Sequence, residues 1–424
     1  MQFLAKKSSH PLPRETWDGS PQIYVTRGVD IVLGNYIKDL RTIAVYGGAG
    51  QGKTCLIRNT LHSMNIPEVY ISCNFHWSLA NLYGAICKAA GFAYVTIAKT
   101  VDTSGAGITA GIKKKFDDYE AELGASLSGS TSTETQYQPL EFSVSETNDI
   151  IQALNTFDGY IVLDNFQYLS RQTTRDFLSK LKYFHDNHIH FIISGIWTDI
   201  ADILRYNNNL RDIFYELNIG RWEKGDMHEI LQEFCKRYNI AIDKHVSDAL
   251  IAATYNNPGR LQHILFDSYY KRSLQRPSNT GGRLPVDPSS FPDADYKDIL
   301  TQFSKGFDRT SLDLYRWFVY VVLATDETIV KNGIPFSHIA KVIREKHPKS
   351  SEKKPILDYY IARALDYIVP LQINKGIQPF LFYYNTKESK LMITDYDFLP
   401  WRNNPANRST LLTALNLPEE APDE

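Results

Sequence analysis

Residues 44–57, AVYGGAGQGKTCLI, put Gly47, Gly48, Gly50 and Gly52 directly ahead of a lysine and a threonine. Glycine reaches backbone angles closed to other residues and lets another group approach the main chain, so this run calls for a compact loop around a ligand. Ile43, Ala44, Val45 and Tyr46 before it read as a short buried strand, while Cys55, Leu56, Ile57 and Leu61 behind it keep helical spacing. Gly47, Gly52, Lys53 and Thr54 fit GxxxxGK(S/T). In that arrangement the amides of Gly47, Gly48, Ala49, Gly50, Gln51, Gly52, Lys53, Thr54 and Cys55 and the helix N-terminus face phosphates. Lys53 supplies charge, and the Thr54 hydroxyl can ligate magnesium. The expected cofactors are ATP, with GTP as the other candidate, and Mg2+.

At 424 residues the chain is long enough for two or three domains with proper cores. With 43% hydrophobic and 22% charged residues its composition is that of an ordinary globular protein. The net charge of −2 excludes a chain coated in basic residues, so any nucleic-acid contact must be local. Cys55, Cys73, Cys87 and Cys235 form no CxxC pair and show no zinc spacing, which points to reduced thiols in a cytoplasmic protein. The first residues, MQFLAKKSSHPLP, lack an apolar signal core, and the longest apolar stretch, 317–324, is too short to cross a bilayer. No membrane partner is expected.

Outward from the loop, YVTRGVDIVLGNYIKDL predicts a short extended piece and then an amphipathic helix opened by Arg27 and carrying Ile31, Val32, Tyr36, Ile37 and Leu40. EVYISCNF (68–75) reads as a strand, followed by a helix from about 79 to 90, the alternation of a parallel sheet with helical crossovers. Residues 93–148 are rich in glycine, serine and threonine and read as an insertion, either a linker or a hairpin. Tyr160 to Leu163 form an apolar strand ending at Asp164, where a parallel strand's carboxyl end meets a ligand crevice; a carboxylate there can hold magnesium through its water shell. After a helix at 172–186 the strand IHFIISG ends at Ser194, either a sensor of the terminal phosphate or a cap of the next turn. Arg211, just before a last strand near 214–219, is a candidate arginine finger reaching a neighbouring subunit.

Residues 1–222 thus form an ATPase core, and 223–275 a helical lid. The Asn257-Pro258-Gly259 break puts Arg260 in the first turn of the last lid helix, either approaching the nucleotide or simply solvated. A proline- and glycine-rich linker, 276–296, precedes a domain at 297–405 whose helices and two strand-like runs, FLFYYNT and KLMITDYDF, follow the winged-helix order; 406–424 is a tail. The fold class expected is α/β: a P-loop parallel sheet with helices on both faces, a helical lid, then an α+β winged helix. Its third helix, PILDYYIARALDYIV, offers mainly Arg363 among tyrosines and aspartates, while Lys341, Arg344, Lys346, Lys349, Lys353 and Lys354 make a local basic stretch. DNA backbone contact and protein contact both remain open for this domain.

With these residues in hand, the chain resembles the STAND branch of AAA+-like P-loop ATPases over about residues 20–400. The likeness rests on YVTRGVDI, GGAGQGKT, IVLDNFQYL, FIISGI, RDIFYELNI and NNPGRLQHI. It implies that Pro258 lies against the nucleotide base with Arg27 near it. It also implies a nucleotide-controlled switch that assembles as a homo-oligomer, often in phage defence, with a separate effector or partner protein. One departure affects the chemistry: the family's glutamate after the Walker B aspartate is Asn165 here. An amide cannot accept a proton, so general-base assistance, typically about 10² to 10⁴-fold, is expected to be missing and hydrolysis weak. The competing expectations are a DNA-binding ATPase of initiator or transposition type and a scaffold that holds nucleotide permanently.

Overall fold

The computed structural model describes residues 23–95, 111–114, 147–196, 210, 212–275, 282–286, 296–307, 312–351 and 355–419. The chain divides into two compact units, Leu33–Tyr46 with Ser63–Leu217, and Met1–Val32 with Gly47–His62 and Asn218–Glu424.

The first unit is built on a sheet. Along the chain its strands are β1 (Thr42–Tyr46), β2 (Glu68–Ser72), β3 (Phe92–Val95), β4 (Gly111–Lys114), β5 (Tyr160–Asp164), β6 (His190–Gly195) and β7 (Phe214–Asn218). Five of them form one sheet in the order β2-β5-β6-β1-β7, in which β2, β5, β6 and β1 pair in parallel. Every residue of β1 and β5 is buried, which is why TIAVY and YIVLD read as continuous apolar runs rather than alternating ones. Parallel neighbours need crossovers, and the helices Leu79–Ala89, Thr147–Leu154 and Arg171–Asp186 flank the sheet. The Ser78 hydroxyl accepts from the Asn81 amide to start the first of these, and Ser170 does the same for the last through Thr173. Tyr83, Phe177, Phe184 and Phe191 interlock edge to face beneath it. From the 93–148 insertion, β3 and β4 form an antiparallel pair and the last two residues begin the helix Thr147–Leu154; 96–110 and 115–146, and the 201–209 stretch ahead of Arg211, lie outside the described residues.

In the second unit the lid helices are Lys224–Tyr238, Lys244–Ala253 and Pro258–Gln275. The short strand β8 (Ile240–Ala241) pairs in parallel with β9 (Gly282–Arg283). Met227, Ile230, Phe234, Leu250, Leu261 and Leu265 pack the lid core, joined by Ile23, Val25 and Trp222.

The C-terminal domain runs helix Tyr296–Ser304, helix Leu314–Ala324, helix Glu327–Asn332, β10 (Ile334–Pro335), helix Phe336–Lys346, helix Asp358–Asp366, helix Ile368–Lys375, β11 (Phe382–Asn385) and β12 (Lys390–Ile393). Its small antiparallel sheet has the order β10-β12-β11. Four readings of the sequence are corrected. The helix at Gly28–Lys38 buries Leu33 and Ile37, whereas Ile31 is 67% exposed and Leu40 lies beyond its end. The third helix of the C-terminal domain is two, broken at Tyr367. KLMITDYDF is strand only to Ile393; Thr394–Asp397 is a turn. The stretch taken as a tail contains the helix Pro405–Ala414, capped by Asn404 and anchored by buried Leu411 and Leu412.

Candidate functional site

The loop after β1 is shaped by its glycines. Gly50 and Gly52 have φ of 70° and 89°, and a Cβ at Gly50 would stand 2.7 Å from Asn257 Oδ1. Other residues are strained at such angles, and at Gly50 the Asn257 side chain would also have to shift. Lys53 opens the helix Lys53–Ser63, and its Nζ donates to the carbonyls of Gly47 (2.9 Å) and Gly48 (2.8 Å). An ammonium held over the loop in this way adds its charge to that of the helix N-terminus.

Three segments of the same unit brace this loop. Trp222 Nε1 donates to the Gln51 carbonyl at 3.0 Å, and the Arg27 guanidinium lies 4.0 Å above the Trp222 ring while Nη1 donates to the Ile219 carbonyl. Asp30 accepts from the Arg27 amide and from the Tyr24 hydroxyl, which fixes the start of the helix. From the lid, Asn257 Nδ2 donates to the Ala49 carbonyl (3.1 Å), its Oδ1 accepts from the Arg260 amide, and the Gly259 amide donates to the Gly50 carbonyl. Sequence reasoning treated Asn257 only as part of a helix break. An asparagine immediately before a proline at a helix start is a cap, and that signal was there to find.

The third brace was not foreseen. The turn after β12 carries Thr394, whose carbonyl accepts from the Ala49 amide at 3.2 Å, and Tyr396, whose ring lies against Gly48. Arg260, with its side chain 5% exposed, pairs with Asp397 at 3.1 Å and donates to the Tyr396 carbonyl. Burial pulls the Arg260 guanidinium below its ordinary value, and Asp397 opposes that shift. Behind the turn, buried Asp395 accepts from the Tyr296 hydroxyl (2.8 Å) and from the Asp397 amide. Desolvation pushes its carboxyl up to about 6 despite the Tyr296 bond.

In the sheet unit, Asp164 ends β5 and is 4% exposed. One carboxylate oxygen accepts from the Tyr70 hydroxyl of β2 and the other from the Asn165 amide at 2.9 Å. Asn165 has φ of 56°, and its Nδ2 donates to Ser72 Oγ at 3.2 Å. Asparagine enters the left-handed region more readily than glutamate, so the departure from glutamate suits the backbone here. Ser194 lies opposite Val45 in β1 and one step past the Leu163–Ile193 pair, level with Asp164. Its hydroxyl is fully buried with no hydrogen-bond partner, an orphan that would suit a phosphate oxygen or a held water. Tyr46 stands opposite Gly195 on the same carboxyl edge, and Gly47 follows it in the chain.

Arg27, Gly47 to Cys55, Pro258 and Arg260 therefore gather in one unit, and Asp164, Asn165 and Ser194 gather in the other; Arg211 lies outside the described residues. Loop amides, Lys53 and the Thr54 hydroxyl are the donor and ligand types a nucleotide with Mg2+ requires, and Asp164 is a carboxylate at the strand end where a hydrated metal would need one. Among the described residues no cluster of histidine, cysteine and carboxylate groups suits a metal held by protein ligands alone, and no helix is long and apolar enough to cross a membrane.

The sequence matches no family model, and a search of curated proteins finds no relative. Among solved structures, the chain is similar to the Walker-type ATPase of Pyrococcus abyssi, with TM-score 0.50, 13% identity, and 90% of this chain and 96% of that one covered. It is also similar to Cdc6p from Pyrobaculum aerophilum (TM-score 0.38, 14% identity, 92% and 93% covered). A third likeness is to the ORC1 protein of Aeropyrum pernix in complex with DNA (TM-score 0.41, 12% identity, 93% and 94% covered). The last two are too loose to add to the first. The chain has an α/β P-loop fold.

Proposed function

We propose that this protein is an ATP-binding switch in which the turn Thr394–Asp397 competes with nucleotide. One observation carries the reading: Arg260, the lid arginine expected from the sequence either to approach the nucleotide or to be solvated, is held by Asp397 while the same turn rests on the glycine loop. In this reading Gly47 to Cys55 wrap the phosphates, Thr54 and Asp164 hold Mg2+, Ser194 senses the terminal phosphate and Arg211 acts across a subunit contact. Pro258 and Arg27 flank the base. A triphosphate offers Arg260 a bidentate anion in place of a single carboxylate, so its arrival favours release of the turn. Asn165 orients water through its amide without taking a proton, which keeps turnover slow.

The reading is tested by nucleotide affinity. Lys53→Ala should abolish ATP binding, and Asp397→Asn should tighten it; unchanged affinity in both refutes the switch.

A second reading, an initiator-like ATPase that engages DNA through the C-terminal domain, has its own support. Tyr359, Tyr360 and Arg363 on the helix Asp358–Asp366 are exposed, as are Lys341, Arg344, Lys346 and Lys349 nearby. Tyrosines stack on bases, and lysines and arginines contact phosphates. Duplex or single-stranded DNA affinity that falls steeply with salt, and falls further in Arg363→Ala, supports this output; binding that does not change with salt contradicts it. In the first reading the switch instead releases a separate effector protein or drives homo-oligomerisation, in the STAND manner and in a defence setting.

A further inference from the structure

A cavity in the loop-and-lid unit, of about 300 Å³, is lined by Gln51, Arg221, Tyr255, Asn256, Lys331 and Tyr396, with Ala252 at its wall. Of the glycine loop only Gln51 reaches it, so it adjoins the phosphate cradle and shares none of the loop's other residues. No carboxylate lines it. The two cations are linked, since the Arg221 guanidinium donates through Nη2 to the main-chain carbonyl of Lys331 at 2.7 Å. Lys331 Nζ lies 4.4 Å from the centre of the Tyr255 ring and pairs with Glu327 beyond the lining. Two side-chain amides complete the wall. Gln51 is 4% exposed, and its side-chain carbonyl is buried without a hydrogen-bond partner. That amide therefore loses nothing on its oxygen side by turning to meet a donor in the cavity.

Paired cations, two tyrosine rings and two amides, with no carboxylate in the lining itself, are the chemistry that recognises a phosphate carrying a planar, amine-bearing base; Glu327, which pairs with Lys331 from outside the lining, must yield that ammonium to the phosphate. The volume lies at the lower end of the roughly 300–1,000 Å³ typical of small-molecule sites. It accommodates one nucleotide rather than a dinucleotide. We propose that this cavity binds a nucleoside monophosphate, independently of the glycine loop. Arg221 and Lys331 take its phosphate, Tyr396 and Tyr255 face its base, and Gln51 or Asn256 meets the base's exocyclic amine. The walls come from the loop, the lid and the C-terminal domain, so an occupant ties the three together and strengthens the turn's hold on the loop.

The test is calorimetric titration of full-length Lys53→Ala protein, in which the loop cannot retain phosphate, with AMP, GMP, CMP, UMP and inorganic phosphate. One nucleotide should bind saturably at one per chain, and Arg221→Gln with Lys331→Gln in the same background should weaken it by about tenfold or more. Hydrogen exchange read on the unsubstituted cavity supplies a check that does not depend on those variants folding: the nucleotide should protect residues 252–256 and 327–332. Absence of binding by every nucleotide, binding without protection there, or inorganic phosphate binding as tightly as the best nucleotide would each overturn the assignment. Because the loop is silenced, none of these outcomes depends on whether it takes ATP.

Discussion

At Asn165 the sequence and the backbone agree on an amide where catalysis would favour an acid. The left-handed angle there, 56°, costs glutamate more than asparagine, by roughly 1 kcal/mol. Asn165→Glu should nonetheless raise ATP turnover, by up to about 10²-fold, at a small cost in stability. Steady-state phosphate release measures this, and turnover at or below the wild-type rate would show that Asn165 does not face the attacking water. Gly50 makes the opposite case. Ala there meets both a φ of 70° and the Asn257 carbonyl at 2.7 Å, so Gly50→Ala should destabilise by about 1–3 kcal/mol and loosen the lid turn. Denaturant unfolding would reveal it; a variant as stable as wild type would mean the loop rearranges freely.

Among the elements, the turn Thr394–Asp397 holds a buried carboxyl whose charge responds to pH. Asp395 ordinarily titrates near 3.8, but its folded carboxyl sits at about 6 because burial disfavours its charge. The folded state therefore binds more protons than the unfolded state between pH 4 and 6. Stability attributed to the protonated group is present below about pH 4 and is lost as pH rises through 6. Above that, the buried charge costs up to about 3 kcal/mol. Asp395→Asn should accordingly raise the melting temperature at pH 7.5, with the advantage shrinking toward pH 4.5. An advantage that grows on acidification would contradict the assignment. This element also marks the limit of what the sequence discloses. The glycine loop, the strand ending at Asp164 and the Asn257-Pro258-Gly259 break were legible because each is a local pattern of residue types. TDYD was not, because its strand-like alternation is overridden by contacts with residues more than a hundred positions away. Tyr70 was equally hidden: nothing in EVYIS announces that its hydroxyl reaches Asp164 at the end of the neighbouring strand β5.

In the whole molecule, one chain carries a P-loop fold and a C-terminal domain whose turn contacts the glycine loop. The fold class was legible from alternating strands and helices. Coupling was not, since it arises from long-range pairs such as Arg260 with Asp397. If nucleotide releases that turn, the particle's mass or shape should differ between ATP and ADP, and Asp397→Asn with ADP should resemble wild type with ATP. Light scattering or mass photometry reads the comparison, and identical particles in all states would confine the nucleotide to a structural role. The most direct test of the central claim is hydrogen exchange at residues 390–400 of the full chain, without nucleotide and with a nonhydrolysable ATP analogue. Exchange in this segment should be faster with the analogue, and unchanged in Lys53→Ala. Unchanged or slower exchange in the wild-type protein saturated with the analogue would contradict it.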